Sequence, residues 1–295
     1  MSARLDGVVV PAATPFGPGG DLDAAALEAA MRWWDASGPV GVMVLGSNGE
    51  SRALSDGESL DVVRAAVGGK GALSLVVGVG RESLRLTVEL ADRVAGVGGV
   101  DAVAVLTPHY FADLMSEAAL VAFYREVADR SPLPVLLYVA PRFANGVVLP
   151  PSAVAELADH PNVRGIKDSD AGRLTAHLAP GPRPDFAVLA GSLGSLLACL
   201  DAGGAGGVVS AANYLPRECA RIAALHAGGD RDAAVAELAR ISGVVEAVGR
   251  YGVAGVKACL GLRGRAVGDP RLPVPPVPDN GLRAIRAALD EARVG

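Results

Sequence analysis

The sequence predicts an α/β protein of the (β/α)8 TIM-barrel class with a C-terminal helical extension, and three observations carry that prediction. Eight short β-branched runs alternate with amphipathic stretches, the pattern of a parallel sheet covered by helices. The units recur at roughly 20 to 33 residues, room for one strand and one helix each. The first strand runs into ATPFGPGG and not into the GxGxxG turn of an open dinucleotide-binding sheet.

The strands are expected at 7–11, 41–46, 73–78, 102–106, 134–139, 163–167, 186–190 and 206–210. Between them DAAALEAAMRWWDAS, SDGESLDVVRAAVGG, ESLRLTVELADRVAGVG and SEAALVAFYREVADRS place apolar residues at helical spacing. Ser55 and Ser116 stand where helix caps belong. After the eighth strand come PRECARIAALHAGG, RDAAVAELARISGVVEAVGR and GVKACLGLRG, then the Pro-rich RLPVPPVPDN and a last helix, GLRAIRAALDEARVG. The expected organisation is a barrel over 1–214 that carries the active site and a helical extension over 215–295 packed on it.

Composition excludes several classes. Of 295 residues 51% are hydrophobic and 20% charged, and the net charge of −5 offers no basic footprint for nucleic acid or an anionic membrane. Cys199, Cys219 and Cys259 are few, odd in number and widely spaced, which fits neither a disulfide framework nor a CxxC site and points to a reducing cytoplasm. The start, MSARLDGVVVPAATPF, lacks the layout of a signal peptide. The most membrane-like stretch, LGSLLACLDAGGAGGVVSAANYL, is broken by Asp201 and a glycine cluster. His109, His160, His177 and His226 show no metal-ligand spacing, and no GxSxG elbow occurs.

In a parallel barrel the active site lies at the carboxyl ends of the strands. That rule gathers Ser47, Asn48 and Glu50 after strand 2, Tyr110 after strand 4, Tyr138 at the end of strand 5 and Lys167 at the end of strand 6. It adds Gly191 and Ser192 after strand 7 and Ser210 and Asn213 after strand 8. Lys167 stands in the run VRGIKDSD, in a chain with 24 arginines (27 cationic side chains less the lysines Lys70, Lys167 and Lys257). Arginine stays protonated, whereas a desolvated lysine can have its pKa drawn toward ~7 to 8 and attack a carbonyl. The alternative is a strand-end lysine in solvent or paired with Asp168. A phenol such as Tyr110 or Tyr138 can shuttle a proton, with Ser47 as relay, or can simply pack at a loop. The glycine-flanked GSNGE can aim backbone N–H groups at a carboxylate, or serve as an ordinary turn before the helix that Ser55 caps.

These residues resemble the dihydrodipicolinate synthase and N-acetylneuraminate lyase family of Schiff-base, pyruvate-utilising aldolases. The resemblance runs nearly the full length, through ATPF, GSNGE, TPHYF, LLYVAP, GIKDS, AGS, GGVVSAAN and YGVAGVK in order. It implies that Lys167 forms the imine, that Tyr138 is the central acid and base, and that Tyr110 is lent across a dimer to the neighbour's site. It makes Ser47 and Asn48 the carboxylate-binding and relay pair, with Ser169, Gly191, Ser192, Val209 and Arg142 as further substrate-binding residues and Lys257 outside the site. It implies no cofactor and no metal beyond the covalent imine, a 2-oxo acid and an aldehyde as substrates, and a homodimer or homotetramer.

Departures from the pattern separate members. The synthase usually has two threonines where Ser47 and Asn48 stand here, and an arginine two residues after the proline. In this chain Arg142 follows Pro141 directly and Phe143 occupies that place. GSNGE, KDS and AGS resemble the 4-hydroxy-2-oxoglutarate aldolases more closely, which makes cleavage to pyruvate and glyoxylate the favoured expectation. Lysine-biosynthetic synthase, a sugar-acid aldolase or dehydratase, a phosphate-binding barrel enzyme and a non-catalytic pyruvate-binding barrel are the alternatives.

Overall fold

The computed structural model describes residues 3–179, 181 and 183–294. Eight strands, β1 (Gly7–Pro11), β2 (Gly41–Val44), β3 (Ser74–Gly78), β4 (Ala102–Leu106), β5 (Val135–Val139), β6 (Val163–Asp168), β7 (Ala187–Ala190) and β8 (Gly206–Val208), run in parallel. Each pairs with the next and β1 pairs with β8, so the sheet closes into a barrel. The helices α1 (Ala24–Asp35), α2 (Asp56–Gly69), α3 (Leu84–Val97), α4 (Glu117–Arg130), α5 (Pro151–Leu157), α6 (Ala171–Leu178), α7 (Leu196–Asp201) and α8 (Pro216–Ala227) alternate with the strands. Beyond them lie α9 (Arg231–Gly249), α10 (Gly252–Leu262) and α11 (Asp279–Glu291).

Local chemistry explains the helix starts. Ser55 and Glu58 form a reciprocal capping box on α2, and the Ser116 hydroxyl accepts from the Ala119 N–H on α4. Side chains alternate across the sheet: Val8 and Val10 of β1 face the helices while Val9 faces the barrel interior with Met43, Val76, Leu136, Tyr138, Leu189 and Val208. Alternation also turns Lys167 inward and leaves Asp168 on the helix side, where it meets His177 of α6.

Several boundaries differ from expectation. β2 stops at Val44 because Leu45 takes a left-handed conformation (φ 58°), and β8 stops at Val208 because Ser210–Asn213 winds into a 3₁₀ turn. The helix α8, expected to begin the extension at 215, packs on β1 beside α7 and completes the outer ring. The extension proper is α9 to α11, and its Ile241, Val244, Val256, Leu260 and Ile285 join the same apolar cluster as the barrel helices. Among the described residues no helix is long and apolar enough to cross a membrane.

Candidate active site

A cavity of about 670 Å³ opens at the carboxyl ends of the strands. Lys167, Tyr138, Ser47, Asn48, Ser169, Gly191, Ser192 and Arg142 all line it. Lys167 and Tyr138 are register partners on β6 and β5, which sets the ammonium 3.8 Å from the centroid of the phenol ring. Both side chains are buried, and the Tyr138 hydroxyl lies 3.3 Å from the Ser47 hydroxyl. Burial alone would raise the Tyr138 phenol. The charge of Lys167 and the hydrogen bonds with Ser47 and Lys167 outweigh it, so the phenol is held below its ordinary value.

The turn after β2 is bracketed by two left-handed residues that are not glycine, Leu45 (φ 58°) and Glu50 (φ 50°). Such conformations cost on the order of 1–3 kcal/mol each and persist where the surroundings impose them. A Cβ on Gly49 would stand 3.0 Å from the Leu45 nitrogen and 3.2 Å from the Ala12 oxygen, so the turn lies tight against β1 and β2. Thr14 donates to the Gly49 carbonyl at 2.7 Å. Among the described residues neither the Ser47 N–H nor the Asn48 N–H has a protein acceptor, which leaves both free for an anion. The Asn48 amide donates to Ser210 at 2.8 Å and ties this turn to the loop after β8.

On the opposite wall the Ser169 N–H donates to the Val139 carbonyl and the Gly191 N–H to the Asp168 carbonyl. A Cβ on Gly191 would come within 2.4 Å of the Ser169 hydroxyl and 2.6 Å of its Cα, so glycine permits the two loops to touch. Ser192 shares a hydrogen bond of 2.7 Å with Ser195. Asp168 does not pair with Lys167: it accepts from the Asp170 N–H at 2.8 Å and lies 2.9 Å from His177 Nε2 in a fully buried pair.

Four residues expected at the mouth do not line this cavity: Glu50, Tyr110, Val209 and Asn213. Val209 packs between sheet and helices, and Val208 is the valine that lines the site. Tyr110 is 74% exposed and stacks edge-on against Phe111 on the outside of the mouth, and the Glu82 carboxylate accepts the N–H groups of His109 and Tyr110 at 2.8 Å each. His109 instead lines a second, largely apolar cavity of about 320 Å³ that shares Ser47 and Tyr138 with the first. Asn213 joins strands, accepting from the Ala13 N–H and donating to the Pro11 carbonyl, and Trp34 donates to its carbonyl. The lining by Val245, Val248, Gly249 and Val253 of the extension was missed, since valines at helical spacing carry no signal that separates a cavity wall from a core. No group of three His, Cys, Asp or Glu side chains able to hold a metal occurs among the described residues.

The chain is similar to known proteins over most of its length. The model of the dihydrodipicolinate synthetase family matches residues 4–292. A probable mitochondrial 4-hydroxy-2-oxoglutarate aldolase of Emericella nidulans is 38% identical over 233 residues, covering 76% of this chain and 74% of that protein. A 4-hydroxy-tetrahydrodipicolinate synthase of Xanthomonas axonopodis pv. citri is 39% identical over 242 residues, covering 81% and 78%. Among solved structures, a prophage protein of the dihydrodipicolinic acid synthase family from E. coli K12, in complex with pyruvate, superposes with a TM-score of 0.92 at 27% identity over 99% of this chain and 100% of that one.

Proposed function

The chain belongs to the dihydrodipicolinate synthetase family and is a lyase of the aldolase type, and we propose that it cleaves 4-hydroxy-2-oxoglutarate to pyruvate and glyoxylate through an imine on Lys167. The observation that carries the proposal is the line from the Lys167 ammonium, across the Tyr138 ring, to the Ser47 hydroxyl beside two free backbone N–H groups. The neutral amine of Lys167 attacks the C2 ketone. Tyr138 delivers a proton to the carbinolamine oxygen, and water leaves to give the protonated imine. Tyr138 then takes the proton of the 4-hydroxyl, the C3–C4 bond breaks into the imine, and glyoxylate departs. Protonation of the resulting enamine at C3 and hydrolysis return pyruvate and the free lysine. The N–H groups of Ser47 and Asn48 hold the C1 carboxylate throughout. The reaction requires no cofactor.

Tyr110 enters from a second copy. It lines neither cavity of its own chain and lies with Phe111 and Leu114 among the exposed apolar side chains, while the smaller apolar cavity beside Ser47 and Tyr138 has room to receive a side chain. The functional unit in this reading is at least a homodimer. Cys199, Cys219 and Cys259 are free and buried, and burial pushes the Cys199 and Cys259 thiols up to about 11 and about 12, which suits inert core residues in a reducing cytoplasm.

One observation favours a second reading, condensation of pyruvate with aspartate semialdehyde: Arg142 does line the cavity and could grip a second carboxylate. Its place directly after Pro141 and its exposure at the rim support the aldolase instead. Steady-state assays with both substrate sets decide. The aldolase reading predicts a kcat/KM for 4-hydroxy-2-oxoglutarate cleavage at least ~100-fold above that for the condensation, the scale of losing about 3 kcal/mol from a charged contact. Equal or higher synthase activity refutes it.

A further inference from the structure

The C-terminal extension reaches the turn after β2 through the Lys257 ammonium and the backbone N–H of Arg271. Lys257 of α10 is buried, and its ammonium lies 2.7 Å from Glu50 Oε1, donates to the Asp269 carbonyl at 3.0 Å and sits 4.1 Å from the Phe16 ring centroid. The Arg271 N–H donates to the other carboxylate oxygen of Glu50 at 2.9 Å. The Arg271 guanidinium donates to the carbonyls of Gly20 and Ala53, pairs with Glu58 and lies 4.4 Å from the centre of the Phe16 ring. Both oxygens of Glu50 are therefore held by a segment more than 200 positions away. Burial draws Lys257 below its ordinary value and the Glu50 carboxylate opposes that shift.

Glu50 is also the left-handed residue that ends the GSNGE turn, one position beyond Gly49 and two beyond Asn48. A buried charge without its partner is strongly unfavourable, so Glu50 and Lys257 are constrained to stay together, and with them the backbone conformation at position 50. Neither Glu50 nor Lys257 lines the 670 Å³ cavity. Glu50 and Arg271 line the smaller cavity beside Ser47 and Tyr138, so their effect on a carboxylate bound in the larger cavity passes through the turn.

We propose that Glu50, held by Lys257 and Arg271, is a positioning residue that fixes the Ser47 and Asn48 N–H groups in the arrangement that receives the substrate carboxylate. The C-terminal extension thereby sets the affinity for that carboxylate without touching it. This rests on the imine reading above, because the carboxylate belongs to the 2-oxo acid whose ketone Lys167 attacks.

The test compares pyruvate with acetone, which replaces the carboxylate by a methyl group and keeps the ketone. Each is trapped by cyanoborohydride at sub-saturating concentration, and adduct formation on the Lys167 peptide is followed by mass spectrometry. Two variants are used. Glu50→Gly/Lys257→Met removes both charges and places a residue at position 50 that tolerates a positive φ. Glu50→Gln keeps length and shape and weakens only the pairing. The expected result is a pyruvate-to-acetone trapping ratio at least about tenfold lower in the double variant and about threefold lower in Glu50→Gln, with acetone trapping unchanged in both. A general loosening of the fold lowers both rates together and leaves the ratio constant. A constant ratio in either folded variant overturns the proposal. An unaltered chain that traps neither ketone refutes the imine reading and the clamp with it.

Discussion

Replacing Tyr138 by phenylalanine removes one oxygen from the centre of the site and leaves its packing in place. The ring face that stands 3.8 Å from the Lys167 ammonium is retained, so the lysine keeps its position. The hydroxyl's hydrogen bond to Ser47 is lost, and at 3.3 Å it is a long one, worth about 1 kcal/mol or less in stability. Melting temperature should therefore move by only a few degrees. Catalysis should change far more. A positioned acid and base contributes about 10²- to 10⁴-fold, so kcat for release of pyruvate should fall by that factor, equivalent to roughly 2.7 to 5.4 kcal/mol. The pH profile supplies an independent readout. Tyr138 gives its proton in forming the imine and must be deprotonated to take the 4-hydroxyl proton in the imine complex, so with its phenol held below the ordinary value kcat should rise with pH along a limb that begins below about 10. That limb should vanish in Tyr138→Phe. The assay is pyruvate release coupled to lactate dehydrogenase across pH, beside a thermal melt. A folded variant with kcat within tenfold of the parent and the same ascending limb would refute the assignment of Tyr138.

Two further outcomes are expected. Tyr110→Phe lowers kcat about 10²- to 10⁴-fold while pyruvate trapping persists, and mixing it with Lys167→Arg subunits restores activity, because half of the sites in a mixed dimer combine an intact lysine with a partner's tyrosine; a fully active monomer in sedimentation, or exchange without complementation, contradicts this. Acid stability should depend on Glu58, whose carboxyl the hydrogen bond from Arg271 lowers to about 2. A depressed folded-state pKa means the contribution is fully present above the unfolded value near 4.3 and is lost as pH falls through about 2. Glu58→Gln should lower the melting temperature at pH 7 and narrow the gap to the parent as pH drops toward 2, and an equal gap at both pH values tells against it.

The sequence made legible what depends on strand ends. Once eight apolar runs imply a parallel barrel, a residue at the carboxyl end of a run has one destination, and Lys167, Tyr138, Ser47 and Asn48 meet there. What stayed hidden depends on faces and distances. Both faces of a barrel strand are apolar, so GGVVS does not reveal whether Val208 or Val209 turns inward. The partnership of Asp168 with His177 required the position of α6, since a carboxylate beside a lysine in sequence points to the other side of the strand. The resemblance places Lys257 outside the site, and only the fold shows it joined to the carboxylate turn through Glu50. The strands end at Val44 and Val208, short of the 46 and 210 that sequence suggests, because positive φ at Leu45 and the 3₁₀ turn after Val209 end pairing within apolar sequence.

The central claim is that Lys167 forms an imine with a 2-oxo acid. Incubation with pyruvate and borohydride followed by peptide mass mapping tests it directly, because the chain has only Lys70, Lys167 and Lys257 as side-chain amines. The account predicts a reduced pyruvyl adduct on the peptide that contains Lys167 and none in a folded Lys167→Arg variant. An adduct confined to Lys70 or Lys257, or no adduct at saturating pyruvate, would contradict it.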